Sequence, residues 1–275
     1  MLFAGVIFSQ GFTSFDLLKE STYGFFIFCA LSGGIYILND VIDLSHDKSH
    51  PAKKKRPLAS GKLEVPIATA FAVVIILVGI GFASRFGIEF LVISIAFVLL
   101  NIIYSFALRK VVILDVFSIA FSFLLRAVAG VAVLKPLVPD VELSPWLLIC
   151  TLFLSLFLAL CKRKHEHKFL RESQNHRESL KDYSSSLLDQ LVGVSATATL
   201  VSYSIYTIWP ETVEKFETRD LVYTIPFVVF GIMRYLYLVY QRDKGGDPSG
   251  VLIMEKSILI NVFLWFVLVV YILFR

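Results

Sequence analysis

The chain has 275 residues, of which 57% are hydrophobic and 17% are charged, with a mean hydropathy of +0.75 and a formal net charge of +4. Soluble domains are about half apolar and a quarter charged, so this composition excludes an ordinary soluble protein and predicts an all-α polytopic membrane protein in contact with the lipid bilayer. The cysteines, Cys29, Cys150 and Cys161, lie in or beside apolar segments without CxxC spacing, which predicts neither a disulfide framework nor a zinc site.

The apolar runs predict the transmembrane helices. A helix needs about 20 apolar residues to cross the hydrocarbon core. Such runs lie near residues 23–43, 66–84, 89–108, 112–134, 146–161, 187–209, 221–241 and 252–274. Residues 1–12 are too short to cross alone but fit the last turns of a further helix, so we expect a bundle of about nine helices. No separate soluble domain is indicated, and residues 1–275 are predicted to form a single transmembrane domain.

Lysines and arginines are concentrated in alternate loops. The loops after residues 43, 108, 161 and 241 carry most of them, and all five histidines fall there as well. The positive-inside rule places these loops in the cytoplasm, with long cytoplasmic loops near residues 44–65 and 162–186. We therefore expect a plasma (inner) membrane protein whose active site faces the cytoplasm. No nucleic-acid partner is expected.

The segment NDVIDLSHD, at residues 39–47, ends the first long apolar run. If one helix continues through it, Asp40, Asp43 and Asp47 lie at about 0°, 300° and 340° around the axis, and Asn39 lies on the same side. Carboxylates crowded beside a low-dielectric membrane repel one another unless a cation lies between them. Mg²⁺ is such a cation, because it takes carboxylate and phosphate oxygens. The three aspartates are therefore predicted to be catalytic residues that bind Mg²⁺.

Two other interpretations of this segment stay open. The aspartates could form only a solvated helix end, or Asp47 with His46 and His50 could form a transition-metal site, although no other imidazole-rich ligand set is assembled here. The cations that follow, Lys53 to Arg56, are placed to meet phosphate oxygens that the metal leaves uncovered. Their alternative role is that of a membrane anchor.

The run NDVIDLSHD followed by HPAKKKRPLASG resembles the NDxxDxxxD helix and adjoining loop of the UbiA-type intramembrane transferases. The resemblance covers essentially the whole chain in helix number and motif position. It implies a UbiA-like bundle of nine helices with a cytoplasm-facing cavity, in which a diphosphate bound to Mg²⁺ leaves an allylic prenyl donor.

The second half of the chain indicates a branch of this family. Members that prenylate quinone, haem and chlorophyll precursors carry a second aspartate-rich motif after the sixth helix, whereas the corresponding region here is mostly basic and contains only Asp182 and Asp189. Together with NIIYSFALRK, FSFLLRAVAG and VYTIPFVVFGIMRYLYLVYQ, it resembles a phosphoribosyl-transferring branch. That resemblance implies 5-phosphoribosyl-1-diphosphate as donor, a polyprenyl (decaprenyl) monophosphate as acceptor, and a role in making arabinan for cell-wall polymers.

The resemblance and the charge pattern together yield the predicted substrate-binding residues. Donor and acceptor carry a diphosphate, a 5-phosphate and a lipid phosphate, which explains the excess of cations better than a single diphosphate does. The predicted residues are Asn39, Lys53, Arg56, Tyr104, Lys110, Arg126, Lys162, Arg163, Glu166, Arg177 and Tyr183.

Several of these residues have a structural alternative. Arg126 lies within an apolar run and either binds substrate or pairs with Asp115 or another buried acid; Arg234 presents the same choice. Glu166 either orients a basic neighbour or meets a ribose hydroxyl, and Tyr183 lies either at the cavity mouth or as an ordinary interfacial aromatic.

Two other functions remain open from the sequence. One is an aromatic prenyltransferase that uses Asp182 and Asp189 as a degenerate second motif. The other is a transporter or a lipid-binding protein without chemistry, which is disfavoured because the charges gather at one membrane face instead of the midplane. The sequence is compatible with a monomer and with a homo-oligomer.

Overall fold

The computed structural model describes residues 2–3, 6, 14–49, 53–141, 144–170 and 178–275. Its α-helices are α1 (Phe15–Ile42), α2 (Leu44–Ser49), α3 (Val65–Ala83), α4 (Ile88–Phe106), α5 (Leu114–Ala132), α6 (Pro145–Leu170), α7 (Ser185–Ile208), α8 (Pro210–Phe216), α9 (Ile225–Gln241), α10 (Pro248–Met254) and α11 (Lys256–Phe274). Short 3-10 turns lie at Lys53–Lys55, Ser84–Phe86, Leu108–Lys110, Glu178–Lys181 and Asp220–Thr224. No β-strand occurs in these described ranges.

Eight of these helices, within the described part of the chain, are long and apolar enough to cross a membrane. They coincide with the eight predicted runs, so the all-α membrane fold is confirmed. The proposed further helix at residues 1–12 lies largely outside the described residues and stays a prediction.

Three helix boundaries differ from the predicted ones. α1 begins at Phe15 instead of residue 23, because charged residues such as Asp16 and Lys19 in its first turns hide it from an apolar-run search. α11 begins at Lys256, after Glu255 adopts an extended conformation with φ −83° and ψ 104°. α6 continues to Leu170, so the segment after residue 161 begins as helix instead of loop.

The chain divides by internal packing into two compact units, Met1–Leu143 (unit 1) and Ser144–Arg275 (unit 2). In unit 1, α1 packs closely on α3 at two glycines. A Cβ atom at Gly34 would lie 2.7 Å from Ile76 Cγ1, and one at Gly79 would lie 2.8 Å from Leu31 Cδ2. Small residues permit such close helix contacts in membranes. This packing holds the C-terminal half of α1, which leads directly into the aspartate segment.

Unit 2 is joined by hydrogen bonds between its helices. Trp265 Nε1 of α11 donates to Tyr203 Oη of α7 at 2.9 Å, and the same Tyr203 hydroxyl lies 2.7 Å from Thr224 Oγ1. Asn261 Nδ2 of α11 donates to the Phe227 carbonyl of α9 at 2.9 Å. Polar side chains inside lipid are stabilised when they bond across helices in this way. These contacts join α11 to α7, which carries Asp189, and to α9, which carries Arg234.

Candidate active site

The aspartate segment of unit 1 is helical on both sides of Asp43 but is not one continuous helix. α1 ends at Ile42, Asp43 has φ −88° and ψ 5°, and α2 begins at Leu44. Backbone bonds still follow the helical spacing, from Asp43 N to the Asn39 carbonyl and from Asp47 N to the Asp43 carbonyl, each at 2.9 Å. Asp40, Asp43 and Asp47 therefore lie on successive turns, with a local change of direction at Asp43.

Arg56 bridges two of the three carboxylates. Its Nη1 atom donates to Asp40 Oδ1 at 2.7 Å and to Asp47 Oδ2 at 2.8 Å. Lys53 Nζ lies farther away, 3.7 Å from Asp47 Oδ1. The Asp47 side chain is only 4% exposed, whereas that of Arg56 is 41% exposed. One guanidinium nitrogen thus lies between two carboxylates that come from different helical turns.

The third carboxylate has a different partner, which lies 66 residues away in the sequence. Arg109 Nη1 donates to Asp43 Oδ1 at 2.5 Å. Ser105, on the same chain segment as Arg109, donates a hydrogen bond to Asn39 Oδ1. Asn39 and Asp43 are separated by four residues, and so are Ser105 and Arg109. The two segments therefore meet with matched polar spacing.

The sequence analysis did not predict Ser105 as a site residue, and it used Arg109 only to assign the membrane topology. Both could have been found from the shared spacing of four residues between polar side chains at the ends of two apolar runs. Of the other predicted residues in unit 1, Tyr104 is half-buried and Lys110 is exposed.

The carboxylates of unit 1 fit a magnesium ion in part. Among the described residues, no three His, Cys, Asp or Glu side chains are grouped so that they could hold a metal ion. Asp40 and Asp47 nevertheless face one cationic nitrogen, and an all-oxygen pair of carboxylates is the donor set that Mg²⁺ uses together with phosphate oxygens. Asp43 is bound by Arg109, so its part in a metal site stays a prediction.

The transition-metal interpretation stays a prediction, because the described residues contain no group of three His, Cys, Asp or Glu side chains that could hold a metal ion. His46 Nδ1 lies 3.4 Å from Ser45 Oγ, and Asp47 is bound by Arg56 and Lys53. His50, the remaining member of that proposed set, lies outside the described residues.

Arg126 lies within α5 and contacts other residues than Asp115. It donates to Ser32 Oγ at 3.2 Å, and its guanidinium lies over the Phe97 and Phe123 rings at 5.0 and 5.6 Å. Asp115 is eleven residues away on the same helix, or roughly 16 Å along the axis. That separation excludes the alternative of an Arg126–Asp115 pair. The Arg126 Nε atom is buried without a hydrogen-bond partner in the described structure.

The basic run of unit 2 lies on a helix. Lys162, Arg163, Lys164, Glu166 and Lys168 all belong to α6, so the predicted loop at 162–186 is wrong over its first nine residues, which α6 includes. The run is charged but rich in Lys, Arg and Glu, which favour helix. An apolar-run search therefore ends the helix too early, because it detects only the part inside the membrane.

Two neighbouring cations of this helix differ in exposure. Arg163 is 1% exposed, and its Nη1 donates to Glu166 Oε2 at 2.5 Å, whereas Lys162 is exposed. Glu166 thus binds a basic neighbour, and its contact with a ribose hydroxyl stays a prediction. Tyr183 is 2% exposed, and its place at the cavity mouth also stays a prediction. Arg177 lies outside the described residues.

The other cations of α6 are paired with carboxylates from other segments. Lys164 Nζ forms an ion pair with Asp189 Oδ1 and lies 3.4 Å from the centre of the Tyr240 ring, while Tyr240 Oη donates to the same carboxylate at 3.0 Å. Lys168 Nζ lies 2.5 Å from Asp243 Oδ1. Asp182, the other aspartate of the supposed second motif, is exposed. Asp189 is thus neutralised by a lysine.

Arg234 is held by contacts that explain its place in an apolar helix. Its Nη2 lies 3.9 Å from Glu255 Oε2, and its guanidinium lies 4.9 Å from the centre of the Tyr237 ring. Glu255 also binds Lys244, and this hydrogen bond, together with the nearby cations, lowers the pKa of the Glu255 carboxyl. These contacts favour a structural role for Arg234.

Comparison with known proteins agrees with this arrangement. A family model described as the UbiA prenyltransferase family matches residues 1–267. The decaprenyl-phosphate phosphoribosyltransferase of Mycolicibacterium smegmatis is 28% identical over 91% of this chain and 79% of its own length. The enzyme of the same name from Corynebacterium glutamicum is 31% identical, with coverage of 88% and 72%.

A solved structure shares the fold. A UbiA homolog from Archaeoglobus fulgidus bound to DMAPP and Mg²⁺ superposes with a TM-score of 0.73 at 14% identity, covering 99% of this chain and 93% of that one. At this level of identity the likeness concerns the fold and not the substrate.

Proposed function

We propose, since this chain belongs to the UbiA prenyltransferase family, that it transfers 5-phosphoribosyl from 5-phosphoribosyl-1-diphosphate to a polyprenyl monophosphate such as decaprenyl phosphate, with release of diphosphate. The similarity to two decaprenyl-phosphate phosphoribosyltransferases across most of the chain supports this reaction. The observation that carries it in the structure is the basic end of α6, where Lys162, Arg163, Lys164 and Lys168 lie on one helix and Asp189 is paired with Lys164, so that this region suits phosphate groups better than a second metal ion.

In unit 1, Asp40 and Asp47 would hold Mg²⁺, and Asp43 is proposed as a third ligand. The ion would supply charge neutralisation on the departing diphosphate. Three cationic side chains lie beside the carboxylates that would hold the ion and are therefore placed to donate to phosphate oxygens. They are Arg56, Lys53 and Arg109. Arginine suits this role because its planar fork matches two phosphate oxygens at once.

The proposed chemistry is a single displacement at the anomeric carbon of the ribose. The bond from C1 to the diphosphate oxygen breaks, a bond from C1 to an oxygen of the lipid phosphate forms, and diphosphate leaves with the bonding electrons. The lipid phosphate is ionised at neutral pH, so no general base is required. Exclusion of water by the apolar surroundings would protect the oxocarbenium-like sugar from hydrolysis.

In unit 2, the end of α6 is proposed to bind the remaining phosphate groups. Lys162 is exposed there and presents an ammonium group to an anion, whereas Lys164 and Lys168 are paired with Asp189 and Asp243 and would have to exchange these carboxylates for phosphate oxygens. Arg163 is buried with Glu166, so we assign it a positioning role within this helix end. The charge bias of the loops supports an active site facing the cytoplasm from the plasma membrane.

The proposal is tested by supplying the purified chain, in detergent, with one radiolabelled donor at a time. Label should move from phosphoribosyl diphosphate to polyprenyl phosphate, and EDTA should abolish the transfer. A labelled prenyl diphosphate that transfers to an aromatic acceptor would instead support the prenyltransferase alternative. Absence of transfer from both donors, in a folded sample with Mg²⁺, would contradict an enzymatic role with these substrates.

A further inference from the structure

Arg56 lies between the two carboxylates that the proposed function assigns to a divalent cation. Its Nη1 atom is bound at 2.7 Å by Asp40 and at 2.8 Å by Asp47. A cation bound by both carboxylates would need the position that this nitrogen holds. We propose that Arg56 is an exchangeable internal cation, which competes with the divalent ion for Asp40 and Asp47 and, once displaced, binds the diphosphate. The inference rests on the assignment of these aspartates to the metal.

The local structure makes the arginine the movable partner. Asp40 and Asp47 lie on helices, in α1 and α2, and the Asp47 side chain is 4% exposed and that of Asp40 33% exposed, so Asp47 in particular is held in place. Arg56 follows a 3-10 turn, and its side chain is 41% exposed. Its backbone is bonded on both sides, from Arg56 N to the Lys53 carbonyl and from Ser60 N to the Arg56 carbonyl, each at 2.9 Å. Exchange therefore requires rotation of the Arg56 side chain and no rearrangement of the loop.

The neighbouring cations do not share this position. Lys53 Nζ lies 3.7 Å from Asp47 Oδ1, and Arg109 Nη1 binds Asp43 Oδ1. Arg56 differs from both, because one of its nitrogens is bound by two carboxylates at hydrogen-bond distance. A divalent ion that enters between Asp40 and Asp47 has to break both Arg56 bonds, whereas the Arg109–Asp43 bond is affected only when Asp43 joins as a third ligand.

This exchange couples metal binding to diphosphate binding. The ion alone must displace Arg56 and leave its guanidinium without a carboxylate, which weakens ion binding. When diphosphate accompanies the ion, the displaced guanidinium gains phosphate oxygens instead. Because binding coupling is reciprocal, the ion should also strengthen diphosphate binding. The pair should therefore bind together much better than either does alone.

The test measures Mn²⁺ binding by electron paramagnetic resonance on the full chain in detergent, with and without inorganic diphosphate. Arg56→Gln should tighten Mn²⁺ binding in the absence of diphosphate by roughly threefold to tenfold, as expected for the loss of a partly exposed ionic competitor, and should reduce the enhancement that diphosphate produces. Lys53→Gln and Arg109→Gln are matched controls, because each removes one cation from the same carboxylate cluster. Both should change Mn²⁺ affinity clearly less than Arg56→Gln does.

If Mn²⁺ binding tightens equally in all three variants, the effect comes only from the loss of one positive charge, and the exchange is contradicted. Unchanged or weaker Mn²⁺ binding in Arg56→Gln would overturn it as well. Thermal unfolding offers a second readout: Arg56→Gln should lower the melting temperature in EDTA, and Mn²⁺ should restore it. Mn²⁺ binding that survives in Asp40→Asn would contradict the metal assignment itself. None of these measurements uses a phosphoribosyl donor, so the test of the Arg56 exchange does not depend on which donor the protein uses.

Discussion

The two units organise opposite charges in opposite ways. In unit 1 the aspartates lie on or between α1 and α2, and their cations come from segments outside these helices, at Lys53, Arg56 and Arg109. At the charged end of α6 in unit 2, the cations lie on that helix, and two of the three carboxylates that bind them come from other segments, at Asp189 and Asp243. In unit 1 the helices therefore hold the carboxylates of the cluster, whereas in unit 2 the helix α6 holds the cations.

This difference indicates which ligand each unit suits. Groups on a helix are held by its backbone and by packing, while a partner on a turn can leave when a better ligand arrives. Unit 1 is therefore suited to exchanging its cations for a metal ion, and unit 2 to presenting ammonium groups to anions. Two arrangements in unit 2 depart from this pattern. Arg163 and Glu166 lie on the same helix, with the Arg163 side chain 2% exposed, and Arg234 and Lys244 pair with Glu255 away from α6.

The largest effect is expected from the acids of unit 1. Asp40→Asn or Asp47→Asn should lower turnover by a factor of about 100 or more, because each removes a charge that would hold the neutralising ion beside the leaving group. A radiolabel transfer assay measures it. Asp182→Asn, which removes an exposed aspartate from unit 2, is the matched control and should leave turnover near that of the parent chain. If turnover falls equally in Asp182→Asn, unit 2 also uses its acids, and the contrast between the units fails.

The next effect concerns stability and the buried pair of unit 2. Arg163→Ala removes the buried arginine from its pair with Glu166. Loss of one member of a buried pair costs about 3–5 kcal/mol, and the low end of this range is expected here because the Glu166 side chain is 20% exposed. Thermal unfolding in detergent should show a clear fall in melting temperature. The double variant Arg163→Met with Glu166→Leu should recover most of it, because both charges are then absent. A stable Arg163→Ala variant with a raised KM would instead assign Arg163 to substrate binding.

A smaller effect is expected from the exposed cation beside this pair. Lys162→Gln removes an accessible ammonium group from the end of α6, so the apparent KM for phosphoribosyl diphosphate or for the lipid acceptor should rise by roughly threefold to tenfold, at a nearly unchanged kcat. Arg242→Gln, which removes a cation that lies against Tyr237, is the control and should leave KM unchanged. An unchanged KM in Lys162→Gln would indicate that Lys162 serves only as a membrane anchor.

The smallest effect concerns pH and Glu255. Its pKa is lowered from the ordinary 4.5, chiefly by the hydrogen bond from Lys244. A carboxyl whose pKa is lower in the folded state contributes stability above its unfolded pKa, and this contribution is lost as the pH falls through the folded value. The parent chain should therefore melt slightly above Glu255→Gln at pH 7, and the difference should vanish well below pH 4.5. A difference in melting temperature that persists at acid pH would show that Glu255 stabilises the protein by packing and not by its charge.

The sequence by itself determined the membrane-crossing helices, the concentration of cations in alternate loops, and the aspartate segment that resembles the UbiA motif. These features were readable because hydrophobic length and helical spacing are local properties of consecutive residues. The same dependence on consecutive residues explains the errors in the predicted helix boundaries. A search for apolar residues detects only the part of a helix that lies in lipid, so it started α1 too late and ended α6 before its charged turns.

Only the tertiary structure decided which charges meet. Asp43 pairs with Arg109 and Asn39 with Ser105 across 66 residues of sequence, and Asp189 pairs with Lys164 across 25. Such partners depend on which helices pack together and at what register, and neither is encoded in the spacing of a single segment. Arg56 is the clearest case: its place beside the aspartates could be anticipated, but the bridge from one nitrogen to Asp40 and Asp47 requires the break at Asp43 and the turn at Lys53–Lys55 together.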